Sequence, residues 1–189
     1  MRSKEGFFHK YCKYYTHDEI VWPVIRKYEI RRDIMNGMIN FIYKLFDKTS
    51  KMIAIRLELR MSVWTNDNAP VSDLFKKLKQ KIKSHYGKCY MGYVWVREQH
   101  LSDKQHYHIA VLMDGQKVRH SNTIYNFVNE LWIYGHVPKG HIKFHRVHRE
   151  LLHNVSAMIY HLSYLAKAET KGWRDPAVKD YQISRIIKL

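Results

Sequence analysis

Cysteine is scarce in this chain. Cys12 and Cys89 are the only two in 189 residues. That is too few for a disulfide framework, and no CxxC pair offers a zinc or redox site. Four prolines and eight glycines exclude low-complexity linkers and collagen-like repeats. No apolar run approaches the ~20 residues that a membrane-spanning helix needs. The opening stretch, MRSKEGFFHKYCKYYTHDE, lacks the apolar centre of a secretory signal. These absences point to a reducing, cytoplasmic setting without membrane contact. Acidic residues are also in deficit. Against 33 Lys and Arg stand 17 Asp and Glu, which leaves a formal charge of +16. Self-repulsion of that size works against a compact state, so a polyanionic partner is implied, nucleic acid ahead of a membrane surface.

The chain is rich in Tyr (14), His (13) and Trp (5). Aromatics beside basic residues suit base stacking, although most aromatics fill cores. The span 16–19 reads as a helix start. Ile20, Val24, Ile34, Met38, Ile42 and Leu45 follow at roughly helical spacing as far as Phe46. Residues 1–50 are therefore expected to form a basic, helical N-terminal extension.

From residue 51 the pattern changes. Ile53, Ile55, Leu57, Leu59 and Met61 alternate with Ala54, Arg56, Glu58, Arg60 and Ser62. A period of two predicts a half-buried strand with one apolar and one charged face. After a turn at 66–70, Ser72 is expected to cap a helix with Leu74, Phe75, Leu78 and Ile82 inward. Lys76, Lys77, Lys79, Lys81 and Lys83 cover the rest of it. A solvated face is the commoner role for such lysines, and contact with DNA is the alternative.

Residues 90–99 and 106–113 read as two strands joined by a polar connection. A helix follows at 122–134, a strand at 141–147, a long helix at 150–170 and a tail at 172–189. The order β-α-β-β-α-β over 51–171 predicts an α+β domain. It has the split βαβ (ferredoxin- or RNA-recognition-like) pattern, with a mostly antiparallel sheet of four to five strands. The fold alone assigns no function.

Chemistry enters with Glu98, His106 and His108. Histidines two apart on a strand share a face. Pairing Glu98 with either His106 or His108 centres the hairpin on residue 102 or 103, inside the polar connection. All three numbers are even, so either register puts the carboxylate on the imidazole face, with cross-strand Cβ atoms roughly 5 Å apart. Two imidazoles and a carboxylate can share one divalent cation and leave positions open for substrate. A chain with 13 histidines produces an HxH by chance; the strand context and the in-register Glu98 argue otherwise. On the last long helix, Tyr160, Tyr164, Lys167 and Lys171 fall along one stripe at 100° per residue, opposite an apolar one. A tyrosine hydroxyl with a free pKa of ~10 is a poor nucleophile, and an adjacent metal and cation would favour its phenolate.

These residues resemble the HUH endonuclease superfamily of rolling-circle replication initiators. His106-Tyr107-His108 matches the HUH motif, Glu98 the third ligand, and Tyr164-Leu165-Ala166-Lys167 the YxxK tyrosine motif, in the expected order. The wording VWVREQ…HYHIAVLMDG…YLAK is most similar to inovirus-type replication proteins and the prophage YagK/YfjJ-like family. The resemblance implies an HUH fold with a divalent metal, Mn²⁺ or Mg²⁺, on Glu98, His106 and His108, and no nucleotide cofactor. It implies that Tyr164 attacks single-stranded DNA at a replication origin of a phage or mobile element and becomes linked to the 5′-phosphate. Lys167 assists, and Tyr160, four residues back, alternates with Tyr164 or merely packs. Unwinding would fall to a host helicase in a bacterial cell. Arg56, Arg60, Lys76, Lys77, Lys79, Lys81, Lys83 and Lys171 are the candidate DNA contacts. Two other readings stand beside this one. One is a non-catalytic nucleic-acid-binding module, although its K/R-G-F/Y-G/A-F-V-x-F/Y signature is not found here. The other is a related transposase or relaxase.

Overall fold

The computed structural model describes residues 12–99, 103–169 and 175–189. Its elements, in chain order, begin with β1 (Cys12–His17), β2 (Ile20–Ile25), α1 (Arg32–Phe46), β3 (Lys51–Met61) and α2 (Ala69–Tyr86). They continue with β4 (Tyr90–Glu98), β5 (His106–Asp114), α3 (Asn122–Leu131), β6 (Gly135–His136) and a 3-10 turn (Lys139–His141). Then come β7 (Lys143–His148), α4 (Leu152–Leu162), a second 3-10 turn (Ser163–Ala166), β8 (Tyr181–Ile183) and β9 (Ile187–Lys188).

Alternation in β3, β4 and β5 sets the architecture. The three strands pair antiparallel with β5 in the middle. β7 and β6 share the outer edge of β3, and β8 and β9 share that of β4. The order β7-β3-β5-β4 is that of a ferredoxin-like split βαβ fold, the α+β class expected. The sheet has seven strands rather than four to five, because each edge carries two short strands in place of one long one.

The sheet is buried on both faces. Ile53, Ile55, Leu57 and Leu59 pack with α2 and α3 through Leu74, Phe75, Leu78, Ile124 and Val128. On the other face, Met52, Ala54, Val94, Ala110 and Leu112 pack with α1 and α4. β3 is therefore not the half-solvated strand expected: its even-numbered side starts apolar and turns polar only from Arg56 onward. Gly92 lets α1 approach, since a Cβ there would lie 2.4 Å from the Phe41 ring. Gly135 does the same for β6, where a Cβ would meet the Arg60 carbonyl oxygen at 1.9 Å.

Three local expectations are corrected. Residues 12–25 form a β-hairpin instead of a helix. Ile20 and Val24 also fit a period of two through Trp22, and β-branched and aromatic residues favour strands. Asp18 and Glu19 turn the hairpin with φ of 46° and 63°, the left-handed pair that two-residue hairpin loops require. Pro23 is tolerated in this two-stranded ribbon. In α2, Pro70 sits in the first turn and Asn68 takes the N-cap position, so Ser72 lies inside the helix. The last long helix stops at Leu162. Of its apolar side, Leu151 and Leu152 are exposed while Val155, Met158, Ile159 and Leu162 are buried. The hairpin residues Trp22 and Val24 and helix α1 belong to the same apolar cluster as β3, β4 and β5, so residues 12–46 pack on the sheet. No helix among the described residues is long and apolar enough to cross a membrane.

Candidate active site

Register builds the site in rows across β3, β5 and β4. Ala54, Leu112 and Gly92 align in one row, and Arg56, Ala110 and Val94 in the next. Glu58, His108 and Val96 form the third, and Arg60, His106 and Glu98 the fourth. One face thus passes from packed hydrocarbon to a charged cluster within four rows. Glu98 pairs with His106, one of the two registers that parity allowed.

Glu98 is 1% exposed, and the two histidines it touches line a cleft of about 610 Å³ together with Arg56, Arg60, His136 and Tyr164. Its Oε2 lies 3.4 Å from His108 Nε2 and 3.6 Å from His106 Nε2. The three side chains offer one carboxylate oxygen and two imidazole nitrogens, all within 4.8 Å of one another. Burial lowers the His108 pKa, outweighing the pull of Glu98, and so favours the neutral form a metal ligand needs.

Tyr164 sits on the 3-10 turn after α4, and Lys167 is the residue that follows this turn. The backbone between β2 and α1 holds this turn in place. The Ile25 amide donates to Ser163 Oγ at 2.9 Å, and the Arg31 amide donates to the Ala166 carbonyl at 2.7 Å. The Ala168 amide donates to the Glu29 carbonyl at 2.8 Å, and Ile30 forms a β-bridge with Lys167. A 3-10 turn brings position i+3 back over position i, and Lys167 Nζ donates to Tyr164 Oη at 2.9 Å. The same ammonium lies 2.7 Å from Glu98 Oε2. Burial works against the Lys167 charge, but Glu98 and the bond to Tyr164 outweigh it and raise its pKa. The Tyr164 ring meets His108 edge-on at 5.1 Å, and the Arg56 guanidinium lies 4.7 Å from its centroid.

The structure separates the two tyrosines. Tyr164 lines the cleft; Tyr160, one turn back on α4, has its ring 5.3 Å from His161. The stripe expected at 100° per residue breaks after Leu162, where the α-helix gives way to the 3-10 turn. Of the candidate DNA contacts, Arg56 and Arg60 line the cleft. The five lysines are on α2, which packs on the opposite face of the sheet. Lys77 pairs with Asp73 at 2.7 Å, Lys81 pairs with Glu130, and Lys79 lies over the Tyr93 ring. Lys171 lies outside the described residues.

Sequence reasoning missed three contributors. Tyr28 packs edge-on against Tyr164 at 5.8 Å from the β2–α1 connection, and no sequence signal marks it. Glu58, opposite His108 in the register, bonds Arg60 Nε at 2.8 Å; its place in the alternation of β3 was a usable signal. His145 on β7 sits opposite Ala54, and its Nε2 is 2.6 Å from His161 Nδ1. Burial, with the charges of His161 and Arg56, brings the His145 pKa down to about 4. The Arg56 guanidinium, which donates to the His161 carbonyl at 3.2 Å, links this pair to the cleft.

No curated protein and no solved structure matches the chain. A family model, the YagK/YfjJ C-terminal domain, matches residues 19–179. That span runs from the hairpin turn to the edge of β8 and contains Glu98, His106, His108, Tyr164 and Lys167. By this match over most of its length, the chain belongs to the YagK/YfjJ C-terminal domain family.

Proposed function

We propose that the chain is a metal-dependent, site-specific single-stranded DNA nicking and joining enzyme of the HUH endonuclease type. In this reading it initiates rolling-circle replication of a phage or mobile element through a 5′-phosphotyrosine intermediate. The observation that carries the reading is one contact chain. Glu98 gathers His106, His108 and Lys167, and Lys167 in turn holds Tyr164 Oη.

The donor set fits a divalent ion: two imidazoles and one buried carboxylate beside an open cleft. Two nitrogen ligands favour Mn²⁺ over Mg²⁺, which prefers oxygen and water. A divalent ion bound there supplies Lewis-acid polarisation of the scissile phosphate. The chain's own residues do the rest. Tyr164 Oη forms the bond to phosphorus while the bond to the 3′ oxygen breaks. The phenol gives up its proton to water and the departing 3′ oxygen takes one up from water to leave as a hydroxyl, so the transfer is proton-neutral. The Lys167 ammonium stabilises negative charge on Oη, and Arg56 adds positive potential over the ring. Arg56 and Arg60 are placed to take phosphate oxygens in the cleft. The phosphotyrosine bond conserves the energy of the broken bond, so no nucleotide is needed and the reverse transfer rejoins the strand.

The test is a covalent-adduct assay. The protein is mixed with Mn²⁺ and end-labelled single-stranded fragments tiling its own replicon. A denaturant-resistant protein–DNA band is expected, absent from Tyr164→Phe and retained in Tyr160→Phe. No band from folded, Mn²⁺-bound protein across the replicon refutes the nicking reaction.

A further inference from the structure

Among the described residues, Trp22, Trp95 and Trp132 are 3%, 2% and 3% exposed, whereas Trp64 is 52% exposed. Burying a tryptophan is a large hydrophobic gain, so an indole held in water at the rim of a cleft asks for a partner. Trp64 follows β3 by three residues, just beyond Arg60 and Met61 of the cleft wall. Its neighbour Val63 is 61% exposed. Ile133 is 71% exposed and is brought alongside by the Ser62 amide, which donates to the Tyr134 carbonyl at 2.8 Å.

This rim is built by the same strands that carry the cluster. Gln105, 1% exposed and adjacent to His106, accepts from the Thr65 amide at 3.2 Å and donates to Thr65 Oγ1 at 2.6 Å. Arg97, 3% exposed and adjacent to Glu98, donates to the carbonyls of Thr65 and Asp67 at 2.5 and 2.6 Å. Two buried polar side chains therefore tie the backbone just after Trp64 to residues adjacent to Glu98 and His106. An exposed residue whose neighbouring backbone is already held loses less freedom on binding.

We propose that Trp64 is a base-stacking platform for single-stranded DNA leaving the cleft, with Val63 and Ile133 flanking the stacked base. This rests on reading the cleft as a DNA site. Charge favours that occupant: Arg60, four residues before Trp64, and His136 line the cleft, on a chain of net +16. A flat π surface beside cations takes a base and its phosphate together, whatever the base.

The test uses the full chain carrying Tyr164→Phe, in EDTA, so that binding is read without chemistry. The probes are fluorescein-labelled (dT)12 and an abasic phosphodiester strand of the same length. Trp64→Ala is expected to weaken (dT)12 binding by about 5- to 150-fold. It should leave the abasic strand within about twofold, and Trp64→Phe should restore most of the loss. Equal (dT)12 affinity in Trp64→Ala and its parent overturns the platform while leaving the cleft reading intact. So does an equal loss on both probes. A parent protein that binds neither probe overturns the cleft reading and the platform with it.

Discussion

Lys167 Nζ reaches Glu98 Oε2 across 2.7 Å, joining the residue that follows the last 3-10 turn to the end of β4. Both groups are buried, at 5% and 1% exposure. The pair fixes Tyr164 over the imidazoles and also neutralises a carboxylate sealed from water.

Removing Lys167 should therefore cost stability. Stranding one partner of a buried ion pair costs about 3–5 kcal/mol. Lys167→Met is expected to fall within that range, because it leaves the Glu98 carboxylate buried without its ammonium partner. Mn²⁺ should recover part of the loss by supplying the missing positive charge. Urea unfolding with and without Mn²⁺ measures both effects, and a midpoint unmoved by the substitution would refute them. The sign with pH follows from the raised Lys167 pKa. Its contribution is complete below the ordinary value of 10.5 and is lost as pH rises through the higher folded value.

Metal affinity should depend on all three ligands. His106→Ala, His108→Ala and Glu98→Gln are each expected to weaken Mn²⁺ binding by at least tenfold in calorimetry, with the fold kept by circular dichroism. Mn²⁺ affinity unchanged in both histidine variants would place the metal elsewhere.

The His145–His161 pair makes a distinct prediction in acid. Burial depresses both pKa values, that of His145 to about 4. A histidine with a depressed folded pKa contributes stability above its unfolded value, and that stability is lost as pH falls. Stability should decline between pH 6.5 and about 4. His145→Gln should flatten that decline, and an identical pH profile in the variant would assign it to other groups.

The α2 lysines face away from the cleft, so their role should be electrostatic. Lys76→Ala/Lys83→Ala is expected to weaken single-stranded DNA binding modestly and to reduce the slope of log K against log salt. Single-turnover adduct formation at saturating DNA should be unchanged. A defect there at saturation would put these lysines on the reacting strand.

Much of this protein is determined by local pattern. Alternation in β3, β4 and β5 specifies strands, and the parity of 98, 106 and 108 places three ligands on one face, because side chains alternate along a strand. Composition carries the cationic character. Other features depend on contacts between distant segments. Ile20, Trp22 and Val24 fit helix and strand alike, and packing of the hairpin on α4 and the sheet decides for strand. Tyr164 and Lys167 leave the helical stripe because backbone from residues 25–31 captures their turn. Tyr28, His145 and His161 join the site only once the chain has closed over the sheet. Periodicity reports which side of an element is buried; only tertiary packing decides what buries it, and so which polar groups meet at the cleft.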